Sequence, residues 1–318
     1  MENGQTRGLV SRRRDGHVHG PLVTQGHRRR PVKILRRLAL GLVALIAAGA
    51  ATTAWAQPPP PCGTVVVDTT LTGDCQGPLT VDADDVTVDL AGHQVLCISP
   101  GAGIMVFGQQ GVWIRHNQVN NCGVAVWLQG GGGHLVTRLT ISSAPGVGVR
   151  IDHSDDNLLR NLRIAGVRTF GVEVSGENNR IEWNDLSGIV SNGGTAIRLL
   201  AEATGTTVRG NRLHQNVVGI EVNGLDNDVR NNVASHNTIG ILVRGSENSI
   251  RSNTANDNSE TGIMLSEDAG TDNRIRGNRT RRNLRYDLAD FPPGLCTTNI
   301  WMDNRGPLQL DGCEAGTR

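Results

Sequence analysis

The sequence predicts an all-β fold: a single solenoid of short parallel strands, about ten coils long, with disulfide-stapled ends. Three observations predict it. Two columns of like residues recur with a phase of about 22 residues over most of the chain. No segment sustains a 3.6-residue apolar period with helix caps. The composition (41 Gly among 318 residues, 9 aromatics as 5 Trp, 3 Phe and 1 Tyr, and 37% hydrophobic) is poor in the bulky residues of a large aromatic core. Glycine has no period of three, which excludes collagen, and so low a hydrophobic content excludes a polytopic membrane protein.

The chain opens with a segment unlike the rest. Residues 1–56 carry ten Lys/Arg and two Asp/Glu, whereas residues 57–318 carry 21 Arg, no Lys and 28 Asp/Glu. The body is therefore acidic (21 − 28 = −7), which argues against bulk nucleic-acid binding. Arg36-Arg37, the apolar run Leu38 to Ala51 and the small-x-small end Ala54-Trp55-Ala56 form a signal peptide over residues 32–56, with cleavage expected after Ala56. The run is shorter than the ~20 residues a spanning helix needs. Residues 1–31 are Arg-rich and patternless and read as an over-extended start, with Val32 the alternative beginning. Residues 57–61, QPPPP, form a stiff spacer, and residues 62–318 form one repeat domain.

All six cysteines (Cys62, Cys75, Cys97, Cys122, Cys296 and Cys313) follow the expected cleavage site. An even count in an exported chain reads as disulfides. Many pairings are possible; pairing of neighbours gives Cys62–Cys75, Cys97–Cys122 and Cys296–Cys313. No CxxC occurs, which argues against a zinc knuckle or a thioredoxin-type site.

The repeats follow. One column is small-aliphatic-x-aliphatic, opening at Gly103, Gly123, Gly148, Gly171, Ala196, Gly219, Gly240 and Gly262. The other is aliphatic-x-x-Asn: Ile114/Asn117, Leu158/Asn161, Ile181/Asn184, Val208/Asn211, Val229/Asn232, Ile250/Asn253 and Ile275/Asn278. Val86/Asp89 and Trp301/Asn304 continue it at the ends, and Leu135/Arg138 interrupts it. One such unit cannot bury its apolar face alone, but stacked units pair their backbones at ~4.8 Å and share a core. A carboxamide both donates and accepts, so asparagines stacked one coil apart can bond along the axis. The small residue opening each strand is expected to fit a tight corner.

The chain resembles the right-handed parallel β-helix repeat proteins of the pectin-lyase-like superfamily over residues 62–313. Cys62-Gly63, Leu71-Thr72-Gly73-Asp74-Cys75 and Val86-Thr87-Val88-Asp89-Leu90-Ala91-Gly92-His93 are similar to the opening of exported bacterial members. Asn283-x-x-Tyr286-Asp287-Leu288, then Cys296-Thr297-Thr298-Asn299-Ile300-Trp301 and Cys313, resemble their closing coil. The resemblance implies a right-handed solenoid in an extracellular or periplasmic setting. The superfamily includes pectate lyases, polygalacturonases, alginate epimerases and a periplasmic copper-delivery protein, which leaves the activity open.

Ile151-Asp152-His153 is similar to a lyase I-D-H, yet in the repeat register it falls where a strand ends in a turn. Asp155-Asp156 would suit a hydrolase acid pair, but the accompanying basic and His motifs are absent. The mature histidines fall in different columns, which disfavours copper. If the protein is an enzyme, a polysaccharide lyase, hydrolase or epimerase, the candidate residues are Arg150, Asp152, Asp155, Asp156 and Glu173, with Ca2+ implied only for a lyase and no cofactor otherwise. If it is a non-catalytic carbohydrate or surface-interaction scaffold, the column expected to face outward (Arg115, Val136, Leu159, Glu182, Arg209, Arg230, Arg251 and Arg276) is informative. Its last four members should stack on one face and need counter-anions, from Asp228 and its neighbours or from an acidic polysaccharide or cell-surface glycan. Arg209, Arg230, Arg251 and Arg276 are thus candidate ligand-binding residues. On another face Arg150, Glu173, Arg198 and Glu221 should form an alternating ion ladder. Trp113, Trp127, Trp183 and Phe107 sit at or near outward positions without a shared column. The expected partner is a glycan, with no nucleic acid and no membrane after signal cleavage, and the expected state is a monomer.

Overall fold

The computed structural model describes residues 57–98, 101–191, 193–291 and 299–310. Among them it contains strands and no α-helix, wound as a right-handed parallel solenoid of about ten turns. The leader, residues 1–56, lies outside the described residues, as does the expected Cys296–Cys313 pair. Pro61, counted with the spacer above, already opens the first strand, Pro61–Val65.

One coil shows why this sequence winds. Val218–Val222 forms the first strand, Asp228–Arg230 the second and Val233–Ala234 the third; the next coil begins at Ile239. Each pairs in parallel with its counterpart one coil earlier and one coil later. Three sheets result, here sheets 1, 2 and 3 in chain order within a coil. Ile220, Val222, Val229 and Ala234 point inward and are fully buried, and the same inward columns run through the core. Bonding between successive coils satisfies the backbone, and stacking of aliphatics buries the apolar face that a lone coil would expose.

The corners are built by asparagine ladders, three of them where the sequence pattern shows one. Between sheets 2 and 3 the column is Asn184, Asn211, Asn232, Asn253, Asn278 and Asn304; each Asn but the last donates from Nδ2 to the Oδ1 of the next coil's Asn at 3.0–3.1 Å. The acceptor oxygen also receives the backbone N–H, as from Asn211 to Asn232 at 2.9 Å. Between sheets 3 and 1 the ladder is Asn216, Asn237, Asn258 and Asn283, ending on Asp287. Between sheets 1 and 2 it is Asn157–Asn179 and then Asn227, Asn248, Asn273 and Asn299, with Thr206 standing between the two runs. The residue ahead of the ladder Asn turns the chain through a left-handed conformation, as at Asp226 (φ 53), Asn231 (φ 55) and His236 (φ 60). Asn and Asp adopt that conformation at low cost, so doublets such as Asp226-Asn227 and Asn231-Asn232 encode a corner.

The expected columns slip in the early coils. Ile114 pairs with Val136, and Val136 with Leu159, so Val136 and Leu159 face the core and are fully buried rather than outward. Leu139 and Leu162 then occupy the corner position; Asn117, in register with Leu139, has no Asn in the next coil and donates to the His93 carbonyl, and Asn161 falls one residue ahead of the corner. Leu158-Leu159 offers two adjacent aliphatics, and the stacking partner above and below decides which one turns inward. For the same reason Asp89 belongs to the outward column, opposite Arg115, with Val88 inward. In the other repeat, Ala125 and not Gly123 aligns with Gly103 and Gly148. These small residues answer to close stacking and not to a corner: a Cβ on Gly171 would lie 2.6 Å from the Ala196 carbonyl oxygen.

Disulfides Cys62–Cys75 and Cys97–Cys122 join successive coils at the amino-terminal end, as neighbour pairing predicts. They fit export to an oxidising compartment.

Candidate functional site

Sheet 1 carries the richest outward face. Its outward column reads Met105, Trp127, Arg150, Glu173, Arg198, Glu221, Leu242 and Met264, each in register with the next. The expected ion ladder forms. Arg150 Nε donates to Glu173 Oε2 at 2.9 Å, Arg198 lies 4.0 Å from Glu173 and 3.4 Å from Glu221, and Arg244 lies 3.4 Å from Glu221. Glu173 is buried between its two arginines. Alternation fixes five side chains along one surface, because each guanidinium has a carboxylate to hold it and each carboxylate has two guanidiniums.

Aromatic groups flank the ladder. Phe107 packs edge-on against Trp127 with centroids 5.2 Å apart, and the Arg150 guanidinium lies 5.9 Å from the Trp127 ring centre. Arg198 covers Phe170 at 4.8 Å. Beyond the carboxy-terminal end of the ladder, Tyr286 and Phe291 pack at 5.4 Å beside Met264, around an open hollow of about 640 Å3. Phe170 and Arg244 were missed at the sequence level. Carrying the ladder one coil past Glu221 reaches Leu242, not Arg244, which reaches back to Glu221 from two residues further along; Phe170 has no column signal either, since Thr195 and Val218 hold its place in the following coils.

The other catalytic candidates separate. Asp152 lies outward on the same strand as Arg150, and its Oδ1 is 2.8 Å from His153 Nδ1. Asp155 Oδ1 accepts the Glu177 N–H at 2.7 Å, and Asp156 is the left-handed residue of a corner (φ 57). Asp155 and Asp156 thus shape a turn instead of joining Glu173 in one cleft.

On sheet 2, Arg209, Arg230, Arg251 and Arg276 stack in successive coils as the spacing predicts. Every one has a carboxylate. Arg209 lies 3.1 Å from Glu182, Arg230 pairs with Asp228, Arg251 holds Asp228 through two bonds of 3.0 and 2.8 Å, and Arg276 lies 3.3 Å from Asp303. Burial alone would raise the Glu182 pKa; Arg180 and Arg209 outweigh it and hold the carboxyl below its ordinary range.

Known proteins share this architecture. A family model described as "Right handed beta helix region" matches residues 93–213, and one described as "Periplasmic copper-binding protein (NosD)" matches residues 160–286. Comparison with the curated proteins gave no match. Among solved structures, ORF18 of Geobacillus virus E2 is 14% identical over 78% of this chain and 54% of its own, with a TM-score of 0.57. The DFA-IIIase of Arthrobacter chlorophenolicus A6, in complex with GF2, is 14% identical over 70% of each chain, with a TM-score of 0.51. An alginate lyase from Paenibacillus sp. str. FPU-7 is 16% identical over 77% of this chain and 91% of its own, with a TM-score of 0.49. At such identity the likeness is one of fold.

Stacked parallel coils, asparagine corners and the right-handed β-helix family match define a right-handed parallel β-helix fold. Among the described residues, no group of three His, Cys, Asp or Glu is placed to hold a metal, and all four cysteines are in disulfides.

Proposed function

We propose that this protein is an exported, non-catalytic scaffold that binds a carbohydrate polymer along the outward face of sheet 1. The observation that carries this reading is the Arg150–Glu173–Arg198–Glu221–Arg244 ladder, set between Phe107/Trp127 and Met264/Tyr286. A row of fixed donors and acceptors repeating every ~4.8 Å suits the hydroxyls of an extended sugar chain, and aromatic rings suit its C–H faces. The ladder carboxylates are engaged by guanidiniums, which favours binding over acid–base work. The arginine stripe of sheet 2 is offset by Glu182, Asp228 and Asp303, so it supports the reading less than sheet 1 does.

Binding to a panel of neutral and uronic polysaccharides tests this, with Trp127→Ala and Arg198→Gln as probes. Loss of at least about tenfold in affinity for the bound glycan, the equivalent of ~1.4 kcal/mol, is the expected result. A panel with no ligand, or affinity unchanged in both variants, overturns it.

One observation favours an enzymatic reading, the Asp152–His153 contact beside Arg150. Unsaturated uronate ends released from polygalacturonate or alginate, and lost in His153→Ala, would establish a lyase in place of a scaffold.

A further inference from the structure

The amino-terminal half of sheet 2 holds a second surface with different chemistry. Trp113, Leu135 and Leu158 stand in register on three successive coils and form an apolar floor about two strand spacings, ~10 Å, long. With Arg138 and Arg160 they line an open trough of about 420 Å3.

The charges around this trough do not balance. Asp89 is taken by Arg115 at 2.9 Å and by His116 at 3.1 Å. Glu182 is taken by Arg180 at 2.7 Å and Arg209 at 3.1 Å. Arg138 reaches the His116 ring nitrogen Nε2 at 3.3 Å, and neither Arg138 nor Arg160 has a carboxylate partner among the described residues. Two guanidiniums without a carboxylate contact, Arg138 on the His116 ring and Arg160 in register with the already doubly paired Glu182, therefore stand over an apolar floor, whereas the arginines of the stripe below are paired. The Arg115 guanidinium already covers one face of the Trp113 ring at 4.2 Å, so that face is not open for sugar stacking.

We propose that this trough binds a small amphiphilic carboxylate, its apolar body on Trp113, Leu135 and Leu158 and its carboxylate held by Arg138 and Arg160. Guanidinium forks match a carboxylate. A chain body of net charge −7 (21 − 28) opposes long polyanions but not a monoanion. The site is independent of the carbohydrate face on sheet 1.

Calorimetry with octanoate, octanol, acetate and trigalacturonate tests it, with the Trp113 indole NMR signal as the reporter of location. Octanoate should bind and shift that signal. Octanol, which lacks the charge, and acetate, which lacks the apolar body, should each bind at least about tenfold more weakly, and so should trigalacturonate. The exposed double variant Arg138→Gln/Arg160→Gln, checked for an unchanged melting temperature, should weaken octanoate by the same factor. Trp127→Ala on sheet 1 should leave octanoate binding intact. Equal binding of acetate or trigalacturonate, an unaffected double variant, or loss in Trp127→Ala overturns the proposal, whatever the outcome for polysaccharides on sheet 1.

Discussion

Replacing Asn232 by Ala probes the asparagine corners in the middle of a ladder. Asn232 Oδ1 accepts the Asn211 backbone N–H at 2.9 Å and its Nδ2 at 3.0 Å; Asn232 Nδ2 donates to the Val208 carbonyl at 2.8 Å and to Asn253 Oδ1 at 3.0 Å. All four bonds go. Asn253 Oδ1 keeps the Asn232 backbone N–H, and the Asn211 amide keeps the Ile181 carbonyl. The Asn211 backbone N–H loses its acceptor in a fully enclosed site, at about 1–3 kcal/mol, and the other three bonds contribute about 0.5–1.5 kcal/mol each. A loss of about 5 kcal/mol follows. Asn304→Ala removes the half-buried last member of the same column, where water can take over the Asn278 donors, and should cost about 1 kcal/mol. Urea unfolding followed by circular dichroism, comparing both variants with the parent, measures the difference. Equal losses at the two positions, or less than about 1 kcal/mol at Asn232, would refute the ladder as a source of stability.

Acid should weaken the fold through His134. Burial lowers its pKa from 6.5 to about 4, against a smaller opposing effect of Asp84, and its Nδ1 accepts the Val112 N–H at 3.2 Å. The neutral ring is favoured in the folded state, so its contribution is full above pH 6.5 and is lost as the pH falls from 6.5 toward 4. The loss is about 3 kcal/mol at most, and His134→Asn, which restores the residue type of the Asn157 position, should flatten that part of the pH–stability curve. Gly171→Ala would place a Cβ 2.6 Å from the Ala196 oxygen and 2.6 Å from Leu186 Cδ2, so thermal melts should show a loss of about 1–3 kcal/mol. Glu173→Gln leaves Arg150 and Arg198 facing a neutral neighbour. Both are partly exposed and screened, so the cost should be about 1 kcal/mol, and its coupling to Arg198→Gln should shrink in high salt.

The solenoid was legible because stacking forces like residues into columns, and columns survive as spacing in a sequence. The ladder Arg150, Glu173, Arg198 and Glu221 and the stripe Arg209 to Arg276 could be placed from spacing alone for that reason. The slip at Val136 and Leu159 could not be avoided from spacing. Two adjacent aliphatics satisfy the pattern equally, and the coils above and below settle the choice. Two of the three asparagine ladders went unseen because their asparagines follow no fixed aliphatic; the signal present was the doublet of a left-handed residue and Asn, as in Asp226-Asn227. Which arginines lack a carboxylate was also hidden, because an ion pair joins residues one coil apart whose rotamers the sequence does not state. Arg138 gave no sign at all, since it occupied the break in the expected column.

Radical footprinting of the protein with and without its bound polysaccharide tests the central claim most directly, since aromatic side chains report on each face separately. Protection of Phe107 and Trp127 on sheet 1, with Trp183 on the sheet 2 corner still as reactive as in the free protein, is the result expected. Protection confined to Trp113 and Trp183, or no protection of Trp127 under saturating glycan, would contradict it.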